Sequence, residues 1–206
     1  MTRRDFLSRA ALVAAAPTPP SSLNVPVNLI LDRRARFTAS QLHRFSTKIW
    51  PEAVRDFVRG GIHLQTVHGI GEVKRSPGDR PVFTGLQRAM INVVATDLIP
   101  LQWDNGRGLA GVTTRWEGFH VCLIALNNAH SDQIPFFSVN TCVHELLHAL
   151  LQDIFANRPN GVSGQEREAR IDWYGTLMWL FHDGAAVRAS ARAYLERLRT
   201  PVTAGN

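Results

Sequence analysis

Apolar and polar positions change their spacing several times along the chain, and each change predicts a different element. "VNLILDRRARF" (27–37) is apolar and then basic, and it reads as a strand. Thr38 and Gln41 form a capping box, after which Leu42, Phe45, Ile49, Ala53 and Phe57 continue at helical spacing to Gly60 and Gly61. Pro51 falls inside that run and predicts a kink or a restart. From Ile62 to Asn128 the pattern turns to strands and loops. "IHLQTVHGIGEV", "AMINVVATDLIPL" and "GFHVCLIALNN" are β-branched and apolar, and Pro-Gly-Asp and Asp-Asn-Gly turns lie between them. Residues 80–96 fit either a strand or a helix.

The last third is helical. Ser138 is placed to cap a helix from Val139 to about Phe155, which "NRPNG" closes. Ser163 with Glu166 makes a second capping box, opening a helix that runs to about Phe181. Asp183 can cap a final helix ending near Thr200 and Pro201. Strand, helix, several strands and then helices predict an α+β domain, a mixed sheet backed by helices.

Composition narrows the classes. A chain of 206 residues with 45% apolar and 19% charged side chains can bury a core as one domain. Its formal charge of +6 comes almost wholly from arginine, since Lys48 and Lys74 are the only lysines. Those arginines are scattered rather than clustered with aromatics, so nucleic acid is not an expected partner.

The N-terminus stands apart. Thr2-Arg3-Arg4-Asp5-Phe6-Leu7 precedes a short Ala-rich run from Ala10 to Ala16. This resembles the twin-arginine export signal of bacteria. The resemblance implies a signal over 1–15, a Pro/Ser linker over 16–25, a domain over 26–206, and a periplasmic or secreted address. The apolar run is too short to span a membrane. Cys122 and Cys142 could pair in an oxidising compartment, but the reading favours two buried thiols.

One stretch carries chemistry. "VHELLHALL" (143–151) places His144 and His148 four residues apart, on one helical face and one turn apart. Two imidazoles so placed can share one metal ion at about 2.0–2.1 Å. Glu145 is rotated by about 100° from His144, within reach of a water at the metal without being a ligand. Val143, Leu147, Leu150, Leu151 and Ile154 would bury the other side. The motif arises by chance in roughly one shuffled chain in a hundred, so a third ligand decides its meaning.

Leu151 and Ile154 stand where a metzincin would need glycine and a ligand, which excludes that class. Asp153 points away from the histidine pair. Glu168 and Asp172 share one face of the next helix, and nineteen residues separate His148 from Glu168. The pattern HExxH…ExxxD resembles the gluzincins, the thermolysin-like zinc metallopeptidases. The resemblance implies a zincin-like fold, with His144, His148 and Glu168 as zinc ligands and Glu145 as the general base. It also implies that Asp172 hydrogen-bonds His144, and that a peptide or protein is the substrate.

The resemblance supplies no residue to stabilise the transition state. Tyr174 and His182 downstream, and His120 and His130 upstream, are the candidates. "FHVCLIALNN" (119–128) is the candidate edge strand for an extended substrate. Two other functions fit the same residues: a zinc-binding module without turnover, and an amidase acting on a cell-wall component.

Overall fold

The computed structural model describes residues 22–74, 82–97, 99, 108–131, 140–152 and 164–199. The export pattern at the N-terminus, Asp153, Ile154, Ser138 and Ser163 lie outside the described residues.

The strands are β1 (Leu23–Asp32), β2 (Ile62–Gly71), β3 (Val73–Lys74), β4 (Val82–Phe83), β5 (Ile91–Thr96), β6 (Gly111–Trp116) and β7 (Phe119–Ala125). The helices are α1 (Ala39–Arg44), α2 (Trp50–Arg59), α3 (Thr141–Leu150), α4 (Gly164–Phe181) and α5 (Ala185–Arg199). They build a mixed five-stranded sheet in the order β2-β1-β5-β7-β6, with helices against one face. Strands β2, β1, β5 and β7 are parallel, and β6 runs antiparallel to β7 at the edge. Among the described residues, no helix is long and apolar enough to cross a membrane.

The central strands are buried on both faces, so their sequences are largely apolar rather than alternating, broken by the buried and mutually hydrogen-bonded Asn28 and Asn92. Val25, Val27, Leu29 and Leu31 of β1 face the helices and meet Phe45, Ile49, Trp50 and Phe57. Ile30, Val94, Val121 and Leu123 face the opposite way, into a smaller cluster with Val73, Ile99 and Phe83. The strand β1 begins at Leu23, inside the stretch read from sequence as linker, and ends at Asp32. There the Asp32 carboxylate accepts from the Arg34 and Val73 backbone N–H groups and from the Thr96 hydroxyl, which turns the chain.

The expected capping box is present: Thr38 accepts from the Gln41 N–H, and the Gln41 side chain accepts from the Thr38 N–H. The kink expected at Pro51 takes a specific form. A π-helical turn, Phe45–Ile49, joins α1 to α2, and Pro51 sits in the first turn of α2. Proline has no N–H to donate there, and the wider turn absorbs the break in the hydrogen-bond ladder. Within 80–96 both described elements, β4 and β5, are strands.

The helix α3 starts later than Ser138. Asn140 is its cap: its fully buried side chain accepts from the Cys142 N–H at 2.9 Å and the Val143 N–H at 3.4 Å, and donates to the Ile49 carbonyl at 2.7 Å. Asp183 precedes α5 as expected, accepting from the Ala185 N–H at 3.0 Å.

Candidate metal centre

The helix α3 lies against β6 and β7 with Val143, Leu146, Leu147, Leu150 and Leu151 buried, and this burial sets which way its histidines point. His144 and His148, one turn apart, both face α4. There Glu168 extends towards them from the first half of the helix, and Asp172 follows one turn later on the same face.

The donor atoms converge. His144 Nε2 lies 3.0 Å from His148 Nε2, and Glu168 Oε2 lies 2.9 Å from the first and 3.1 Å from the second. These three atoms form a near-equilateral triangle. Ligands of a tetrahedral ion at about 2.0–2.1 Å stand roughly 3.3 Å apart, so small outward shifts would fit the triangle to one. One side of it opens into a cleft of about 680 Å³. His144, His148 and Glu168 could therefore hold a metal ion.

No family model, no curated protein and no solved structure matches this chain. The site therefore rests on its own geometry.

Asp172 Oδ1 lies 3.0 Å from His144 Nδ1, so the carboxylate can accept that ring proton and leave Nε2 as the free donor atom. Burial lowers the His144 pKa, but the Asp172 and Glu168 carboxylates more than reverse this and raise it to about 10. The two imidazoles in turn hold the Glu168 carboxyl well below the usual carboxylate range. Such mutual shifts mark a site that gathers positive charge. The neighbouring Glu166 pairs instead with Arg170, at 2.6 Å. The acidic stretch on α4 thus divides: one carboxylate pairs along the helix surface, and two turn to the histidines.

Glu145 is buried on the β6 side of α3 and lines the same cleft. Burial pushes its carboxyl pKa upward, while His144, His148 and the Thr113 hydroxyl work against that rise.

The sheet corrects one expectation. The strand β7 is interior, paired with β5 on one side and β6 on the other, so it is not an edge. The outer strand on this side is β6, and its residues Gly111, Val112 and Thr113 line the cleft. Sequence reading passed over β6 because "GVTTRW" has no continuous apolar run. Its alternation is the signal that could have found it, with Val112 and Trp116 against the smaller core and Thr113 towards α3.

Of the four residues considered for transition-state stabilisation, His130 lines the cleft. Its N–H donates to the Thr141 hydroxyl and its carbonyl accepts from the Thr141 N–H, which fastens it to the first turn of α3. His120 is buried edge-on against Tyr194, Tyr174 packs against the main core, and His182 follows the end of α4 with a positive φ of 54°. Cys122 and Cys142 are both free and buried, and burial pushes both thiols up. They behave as small core side chains.

Proposed function

We propose that the protein is an exported zinc metallopeptidase of the gluzincin type, with a zincin-like core. The observation that carries this reading is the convergence of His144, His148 and Glu168 beside a buried glutamate in one open cleft. Two nitrogens and one carboxylate oxygen are a donor set suited to zinc, and three ligands leave a position for substrate. The twin-arginine pattern at Thr2–Leu7 supports export.

When bound, zinc supplies a Lewis acid that polarises a carbonyl and acidifies water. The chain's own residues do the rest. Asp172 keeps the His144 ring turned and its proton on Nδ1. Glu145 takes a proton from the attacking water at its carboxylate and hands it to the leaving amine. Among the described residues β6 is an outer strand of the sheet, and its edge can add an extended peptide as a further strand, so that backbone pairing gives affinity. His130 stands at the same cleft as a donor for the developing oxyanion.

The test is metal analysis of the purified protein beside Glu168→Ala and Glu145→Gln, with labelled casein as substrate. One zinc per chain, lost in Glu168→Ala and kept in Glu145→Gln, with turnover abolished in both, is the expected result. Full zinc occupancy in Glu168→Ala would overturn the ligand set. Zinc without hydrolysis of casein or peptides would leave a binding module or an amidase.

A further inference from the structure

The edge strand β6 does more than border the cleft. Alternation along the strand turns Gly111 and Thr113 to the side occupied by α3, where both meet Glu145. The Thr113 hydroxyl lies 2.7 Å from Glu145 Oε2 and 2.8 Å from the Glu145 backbone carbonyl. It has one hydrogen for these two oxygens and for the more distant Cys122 Sγ at 3.5 Å, and it selects among them by turning about its own bond. Opposite it, Cys122 donates to the same carbonyl at 3.4 Å.

Gly111 completes the seat from the other side. A Cβ built there would stand 2.6 Å from Glu145 Cγ and 2.7 Å from Oε1. Its φ is not in the left-handed region, so the glycine is needed for room rather than for backbone conformation. A side chain at 111 and the observed Glu145 conformer cannot coexist.

We infer that Thr113 is a positioning residue for Glu145: its hydroxyl holds the carboxylate in the place that Gly111 leaves open. This rests on the reading of Glu145 as the general base. In this role the Thr113 hydroxyl acts through Glu145 and not on metal or substrate, while any pairing of β6 with a peptide would use the backbone. It fixes one carboxylate oxygen, Oε2, and leaves the other, Oε1, in the space beside Gly111. The π-system of the carboxylate is thereby held in one plane rather than swinging about its terminal bond.

The test compares Thr113→Val, close to isosteric but without the hydroxyl, with Thr113→Ser in the zinc-loaded protein. Loss of a hydrogen bond to a charged group predicts a fall in kcat on labelled casein of about 10- to 100-fold in the valine variant, with KM and zinc stoichiometry unchanged. Serine should restore most of the turnover. A structural readout stands beside activity: the ¹³C shift of the Glu145 carboxyl should differ between wild type and valine, and be shared by wild type and serine. The valine variant keeping full kcat, or serine performing no better than valine, overturns the inference. Should the valine variant not fold, the wild type decides. The Glu145 carboxyl signal should show an isotope shift between H₂O and D₂O from the Thr113 hydroxyl, and its absence overturns the inference equally. If the wild type hydrolyses nothing, the peptidase reading fails, and the carboxyl signals still judge Thr113.

Discussion

Asn140 offers a perturbation whose cost can be worked from its contacts. Its amide oxygen caps α3 by accepting from the Cys142 and Val143 N–H groups, and its amide nitrogen donates to the Ile49 carbonyl in the π-helical turn. Asn140→Ala removes both functions from a fully buried position. Loss of the cap costs about 1 kcal/mol, and loss of the buried amide–carbonyl bond about another 1, with a further contribution from the donors left unpaired. The total is about 2–3 kcal/mol, which for a chain of this size lowers Tm by roughly 5–10 °C. Asn140→Asp separates the two parts. It keeps the cap but turns an acceptor towards the Ile49 carbonyl, so it should be at least as destabilising as alanine at pH 7. Urea denaturation of the three proteins, fitted with a common m-value, measures both differences. A loss under about 1 kcal/mol for alanine, or an aspartate variant as stable as wild type, would refute the assignment.

Further outcomes follow from other contacts. On the proposed reading of His144, His148 and Glu168 as metal ligands, Asp172→Asn should weaken binding of added zinc about 10- to 100-fold by competition titration, because the amide no longer takes a full charge-assisted bond from His144 Nδ1. Burial holds the His120 pKa down to about 4, so the folded state binds fewer protons than the unfolded chain between that value and 6.5. Stability should be lost as pH falls through that window, by about 1–2 kcal/mol once partial screening is allowed for, and His120→Gln should flatten the slope in denaturation curves at pH 7 and 4.5. Gly184→Ala would set a Cβ 2.1 Å from the Gly60 carbonyl oxygen and should cost about 3 kcal/mol or more in Tm-derived stability. Gly118→Ala meets no atom within 4 Å and should cost only about 1 kcal/mol, from its φ of 82°.

The helices, and the pairs His144 with His148 and Glu168 with Asp172, were legible because their signals are local, whereas the meeting of the two pairs was only what the family resemblance implied. Helical period puts each pair on one face, and capping residues mark the starts. Asn140 escaped because cap chemistry does not distinguish it from Ser138, and its bond to Ile49 spans 91 residues. The place of β7 in the sheet was not legible either. An apolar strand reads the same at an edge or in the middle, and only its pairing with β6 decides. The strand β6 and its contacts with Glu145 were hidden for a related reason. Nothing in "GVTTRW" refers to a carboxylate 32 residues later until the sheet brings them together.

The missing side chain at Gly111 ties two distant positions in the sequence to one another. Residue 111 can enlarge only if residue 145 shortens or turns away, so in related chains the two should change as a pair. A larger residue at 111 beside an intact HExxH would then mark a protein that keeps the two histidines but cannot seat its glutamate as this one does. Such a chain would carry the same motif and differ by a single methyl group thirty-four residues earlier.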